Sequence, residues 1–159
     1  MPQNILRRAQ EVLRSGQLDT IQMAKKRYAQ LQEPVCQRYG ITKTEMDVLL
    51  FLANNPGLDR AADIVNLRQI TKSHVSLSVA SLSDRGLLLR HCSPTDRRNA
   101  HLELTEQGCA IAQEARDAQV RFFDSLYSGI PDAELSVLEQ ATRKILDNIE
   151  NLNKVQTDG

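Results

Sequence analysis

Residues 93–108 read SPTDRRNAHLELTEQG, a polar turn with two adjacent arginines behind an aspartate. It lies between the aliphatic run Leu87, Leu88, Leu89 and the alternating pair Leu102 and Leu104. Apolar alternation with a period of two on either side of such a turn predicts a β-hairpin. The tip of this hairpin is cationic, and a cationic tip implies an anionic target.

The segment upstream reads as three helices. Thr42-Lys43-Thr44-Glu45 has the spacing of a capping box, with Ile41 and Met46 placed as a hydrophobic staple, so a helix is expected from about Lys43 to Asn54. Asn55-Pro56-Gly57 ends it. A short helix carrying Ala62, Ile64, Val65 and Leu67 is expected from about Asp59 to Leu67. Arg68-Gln69-Ile70 then turns the chain into Thr71, the N-cap of a third helix that closes at Gly86. Three helices followed by a basic hairpin is the order of a winged helix-turn-helix, in which the third helix enters the major groove of DNA.

At about 100° per residue, Val75, Val79 and Leu82 share one face of that third helix and form its core side. Ser73, Leu77 and Ala80 then point away from the core, with His74, Ser76 and Ser81 on the flanks. This surface carries no acid before Asp84 and is rich in hydroxyls, so it can approach a duplex closely. Its N-terminal end adds backbone N–H groups suited to phosphate. An outward leucine at position 77 can meet a thymine methyl.

The outer thirds predict long amphipathic helices. Apolar positions recur at Ile21, Ala24, Tyr28, Leu31 and Val35 in steps of three and four, ending at Gly40. After Thr105 they resume at Ile111, Ala115, Ala118, Phe122 and Leu126, and after Pro131 at Leu135, Leu138, Thr142, Ile145, Ile149 and Leu152. A further amphipathic stretch runs from Asn4 to Ser15. The terminal helices offer more apolar surface than a small central lobe can cover, which predicts a homodimer built from them. The organisation expected is therefore 1–40 and 105–159 for dimerisation around a DNA-binding lobe at 41–104, a mainly α fold with one small β-hairpin wing.

Charge follows the same division. The chain is neutral overall, yet residues 60–101 hold seven Lys or Arg against three acids, whereas residues 102–159 hold five against eleven. A basic middle beside an acidic remainder suits a DNA-facing module. The longest apolar run, MDVLLFLA at 46–53, is interrupted by Asp47 and is far short of a membrane span. The N-terminal MPQNILRRAQEVLRSG has no apolar core of signal-peptide length, so a cytoplasmic protein without membrane contact is expected. Three cysteines without CxxC spacing fit reduced thiols in that compartment.

The sequence resembles the MarR family of bacterial transcriptional regulators. The resemblance rests on Thr71-Lys72-Ser73-His74-Val75-Ser76, on Asp84-Arg85-Gly86-Leu87, and on Asp96-Arg97-Arg98 followed by Leu104-Thr105-Glu106-Gln107-Gly108. It implies a dimer of winged helix-turn-helix lobes that binds pseudo-palindromic operators in double-stranded DNA, usually as a repressor released by a small-molecule effector or a chemical signal. By position it implies base or phosphate contacts from Thr71, Lys72, Ser73, His74, Ser76 and Leu77. It also implies a wing of Asp96, Arg97 and Arg98 in which Arg98 enters the minor groove and Asp96 orients it. The chain departs from the family pattern at Leu77, often arginine, and at Gln69, often glycine, so a turn of different geometry is expected at Gln69.

Other chemistries are weaker fits. His91, Cys92, His101 and Cys109 match no compact zinc spacing, and adjacent His91 and Cys92 fall on opposite faces of a hairpin. No Asp or Glu stands beside Cys109 to orient a base. No cofactor, no metal and no enzymatic activity are therefore expected. Two alternatives remain: a thiol redox sensor using Cys36, and a helix-turn-helix used for protein partnership.

Overall fold

The computed structural model describes residues 16–93 and 96–157, with side chains at 16, 19–91, 100–149 and 151. The amphipathic stretch expected at Asn4–Ser15 lies outside the described residues. The chain forms α1 (Gln17–Tyr39), α2 (Lys43–Asn54), α3 (Ala61–Arg68), α4 (Lys72–Asp84), β1 (Leu88–Ser93), β2 (Asp96–Leu104), α5 (Glu106–Leu126) and α6 (Asp132–Thr157). It divides into two compact units, residues 1–122 and 123–159, so that the boundary falls inside α5. Among the described residues no helix is long and apolar enough to cross a membrane.

The first unit is organised around α2. Its capping box forms as the sequence predicts: Glu45 N–H donates to the Thr42 hydroxyl at 3.2 Å, and Thr42 N–H donates to the Glu45 carboxylate at 2.6 Å. With its start fixed, the helix buries Met46, Val48, Leu49, Leu50 and Phe51. Around it pack Val35 from the end of α1, Ile41 from the turn that follows it, Ile64 from α3, Val75, Val79 and Leu82 from α4, Leu88 and Leu102 from the hairpin, and Ile111 and Ala115 from α5. Polar contacts join α1 to α5 as well. Tyr39 donates its hydroxyl to Glu114 at 2.8 Å, Arg38 pairs with the same carboxylate, and Gln119 donates to the Tyr28 hydroxyl.

β1 and β2 form one antiparallel ribbon in the register Leu88 to Leu104, Arg90 to Leu102 and His91 to His101, with an irregularity between His91 and Ser93. A third segment reinforces it. Leu102 N–H donates to Asp59 O at 2.7 Å, and Arg60 bridges His101. This pairing explains why α3 begins at Ala61, two residues later than its apolar pattern predicts. Arg60 is held extended (φ −111°, ψ 149°) and its N–H donates to the Asp63 carboxylate at 3.0 Å.

The turn between α3 and α4 corrects another expectation. Gln69 adopts φ 55° and ψ 33°, the left-handed conformation that glycine takes without strain. The geometry is therefore the glycine-type one, reached with a side chain. Gln69 N–H donates to Val65 O at 3.1 Å and its side-chain amide donates to Asn66 O at 2.9 Å, two bonds that hold the strained residue in place.

In the second unit, α6 follows Pro131, whose carbonyl accepts from Glu134 and Leu135 N–H. Its apolar stripe is solvent-facing in the single chain: Leu138, Ile145 and Ile149 are all exposed, as are Val137 and Leu146 beside them. On α1 of the first unit, Ile21, Met23 and Leu31 are exposed too.

Candidate nucleic-acid interface

α4 begins at Thr71, whose hydroxyl accepts from His74 N–H. Because its first turn holds no acid, the positive end of the helix dipole is left without a carboxylate of its own. Val75, Val79 and Leu82 are buried as the 100° spacing predicts, and Ser78 is buried with them. Thr71, Lys72, Ser73, His74 and Ser76 are exposed, and Leu77 keeps 68% of its surface in solvent. Ala80, expected to face outward, is half-buried, so the open face is confined to the first two turns.

Two residues whose tertiary role the sequence does not announce fix this helix from behind. Glu45, the acid of the α2 capping box, is buried and interacts with Ser81 of α4. Burial alone would raise its pKa, but hydrogen bonds from Ser81 and Thr42, with the charge of Arg85, outweigh it and hold the carboxyl below the usual range. At the other end, the α4 terminus is a Schellman closure: Gly86 (φ 69°) donates to Ser83 O at 3.0 Å, and Leu87 N–H donates to Leu82 O at 2.9 Å. There the Arg85 guanidinium donates to Gly40 O at 3.0 Å and Tyr39 O at 2.5 Å. The capping pattern announces Glu45 as a cap only, since its second role depends on a helix more than thirty residues further along the chain.

The hairpin leaves the helix at Gly86 and returns at Thr105. Thr105 donates its hydroxyl to Gly86 O at 2.8 Å, accepts from Gly108 N–H at 3.1 Å, and sends its own N–H to Leu87 O at 3.2 Å. Thr105 is thus both the N-cap of α5 and the clasp at the base of the hairpin. Asp96, Arg97 and Arg98 lie in the first three positions of β2, at the tip end of the ribbon, and their side chains are outside the described residues.

The histidines of the ribbon are engaged with carboxylates. His91 Nε2 lies 2.6 Å from Glu103, and His101 Nδ1 lies 2.9 Å from both oxygens of Asp59. Among the described residues no group of three or more His, Cys, Asp or Glu is placed to hold a metal. Cys36 is buried, and burial pushes its thiol up, with Glu33 and Asp47 adding to the effect. Cys109 is exposed.

Residues 39–99 match the profile of the MarR family. The chain belongs to the MarR family. A protein of Thauera aromatica named for transcriptional regulation of its hcr operon is 30% identical over 111 residues, 70% of this chain and 66% of that protein. Transcriptional repressor MprA of Escherichia coli is 36% identical over 73 residues, covering 46% of this chain and 42% of the repressor. The chain thus spans about two thirds of the first of these relatives and under half of the second. The structure of Bordetella bronchiseptica BpsR, described in terms of regulation of its DNA binding by 6-hydroxynicotinic acid, superposes with a TM-score of 0.63 at 24% identity. That match covers 80% of this chain and 96% of BpsR, and it supports the winged helix-turn-helix fold.

Proposed function

We propose that this MarR-type regulator binds double-stranded DNA sequence-specifically at a pseudo-palindromic operator, as a homodimer, and represses transcription until a small-molecule effector releases it. The observation that carries the reading is the outward face of the first two turns of α4, exposed and free of acid, beside a hairpin whose tip bears Asp96-Arg97-Arg98. In this reading Lys72 attracts phosphate, and Thr71, Ser73, His74, Ser76 and Leu77 meet base edges. Arg97 adds charge, while Arg98 enters a narrow, A·T-rich minor groove with Asp96 holding it extended. Residues 41–104 form the DNA-binding lobe, and residues 1–40 and 105–159 supply the dimer contacts. The exposed apolar stripes of α1 and α6 support that assignment. The protein acts in the cytoplasm, where its DNA lies.

The effector reading is supported by BpsR, whose DNA binding is regulated by 6-hydroxynicotinic acid. Sensing through Cys36 is the less favoured route: a buried thiol with a raised pKa forms little of the thiolate that oxidants attack. Selection of duplexes from a random pool by the full chain, followed by anisotropy titrations at two salt concentrations, tests the reading. Enrichment of an inverted repeat, with affinity falling steeply as salt rises, is expected. Failure to enrich any sequence, with salt-independent or absent binding, would favour a protein-interaction role for the helix-turn-helix and overturn the reading.

A further inference from the structure

A cleft of about 450 Å3 separates α4 from the hairpin. Its walls come from three elements far apart in sequence: Arg60 at the start of α3, Lys72 on α4, and Arg90 on β1. Its floor is apolar, formed in part by the buried Val79, Ala100 and Leu102. Among the described residues no acidic side chain lines it, although acids and bases are equally numerous in the chain. The acid nearest in sequence to Arg60 on α3, Asp63, has its carboxylate turned to the Arg60 N–H as a helix cap. Ala61 and Ala62 of the first turn of α3 line the cleft as well.

The position of the cleft matters as much as its charge. Adjacent major and minor grooves of B-form DNA are divided by a single sugar-phosphate strand. A protein with α4 in the major groove and its hairpin in the neighbouring minor groove must therefore let that strand pass between the two. The gap between α4 and the hairpin is this cleft. We propose that the cleft is a seat for one phosphodiester of the operator strand, with Arg60, Lys72 and Arg90 supplying cations to the phosphate and the apolar floor lying under the deoxyribose. The proposal rests on the DNA-binding reading above and adds Arg60 and Arg90, neither of which belongs to the base-reading face, to the interface. Arginine suits such a seat because its planar fork meets two phosphate oxygens at once. The seat fixes the register between helix and wing without reading sequence.

The test replaces single phosphates of the selected duplex by neutral methylphosphonates, one position at a time. With the wild-type protein, one phosphate per half-site, on the strand between the helix and wing footprints, should weaken binding roughly tenfold when neutralised. A protein carrying both Arg60→Gln and Arg90→Gln should bind the unmodified duplex with a comparable loss and lose nothing further at that position. Its salt dependence should flatten by about one unit per lost contact in each subunit. Both arginines are exposed, so the variant should fold, and unchanged circular dichroism and melting would verify this. Arg90→Lys, which keeps the charge but not the fork, should recover part of the loss.

If the wild type binds its selected duplex but shows no such position, or if the variant keeps the full methylphosphonate penalty there, the seat is overturned while DNA binding stands. If the scan is flat and benzoate displaces DNA from the wild type but not from the variant, the cleft takes a small carboxylate instead of phosphate, and the proposal fails. If the wild type selects no duplex, the DNA-binding reading fails first and the seat fails with it.

Discussion

Replacing Gly108 by alanine should destabilise the protein, although helix propensity alone predicts the opposite. Gly108 lies in the first turn of α5, where a methyl group would sit 2.0 Å from the backbone oxygen of Leu87 and 3.1 Å from its carbonyl carbon. Relief requires a movement of more than about 1 Å by main chain rather than by a flexible side chain. Leu87 is buried, and its carbonyl accepts the Thr105 N–H that closes the base of the hairpin. Moving it also disturbs the bond from Gly108 N–H to the Thr105 hydroxyl that caps α5. Overpacking costs about 1 to 3 kcal/mol, and the cap and the hairpin bond about 1 kcal/mol each. Against these, alanine gains about 1 kcal/mol of helix propensity. The net loss is about 2 to 4 kcal/mol, which for a chain of this size lowers Tm by about 4 to 16 °C. Thermal and urea unfolding followed by circular dichroism, at one fixed protein concentration, measures it. Gln107→Ala, an exposed neighbour on the same turn, should change stability by no more than about 0.5 kcal/mol and serves as the control. A Gly108→Ala protein as stable as wild type, or more so, would show that the close approach to Leu87 yields cheaply and would refute the reasoning.

Four further outcomes are expected. Burial raises the Asp47 carboxyl above its usual range, with Lys43 and Arg68 offsetting part of the effect. An acid so shifted favours folding most when protonated, and that contribution is lost as pH rises through the folded pKa. Asp47→Asn should therefore be more stable than wild type at pH 7, with the advantage shrinking as pH falls toward 4; urea melts showing a pH-independent loss would instead give the ion contacts the larger weight. In the wing, Arg98→Ala should cost about 1 to 3 kcal/mol of operator binding. Asp96→Ala separates two accounts by sign: removing an anion near phosphates strengthens binding by simple electrostatics, so weaker binding by anisotropy means orientation dominates, and tighter binding refutes the oriented arginine. Finally, replacing the exposed Ile145 and Ile149 together by glutamate should abolish dimerisation in sedimentation experiments, and tight operator binding with it.

The elements that local chemistry dictates were legible in the sequence. Thr42 and Glu45 name the start of α2 because a capping box is complete within four residues, and Gly86 names the end of α4 because its positive φ is nearly a glycine preserve. Legibility fails where a distant partner intervenes. α3 starts late because residues 59 and 60 pair with β2, some forty residues away. Gln69 misleads for a different reason: its left-handed backbone is imposed by the two helices it joins, and residue identity does not announce it. The exposed face of α4 followed from periodicity, whereas Ser78 and the half-buried Ala80 did not, since their burial depends on what packs beside the helix. Arg60 and Arg90 could not be paired with Lys72 from the sequence, because only the fold brings α3, α4 and β1 around one cleft.

The Arg85 contact with Tyr39 O and Gly40 O makes the end of α1 the fulcrum of α4. α4 is 13 residues long, so its exposed N-terminal end stands about 18 Å from that pivot. A tilt of about 5° there carries Lys72 and Ser73 sideways by about 1.6 Å, more than the whole range over which a hydrogen bond keeps its length. Small angular play at one end of the lever is thus read as a large misfit at the other. On the proposed DNA-binding reading, whatever displaces the last turn of α1 shifts the grip on DNA without touching any side chain assigned to it.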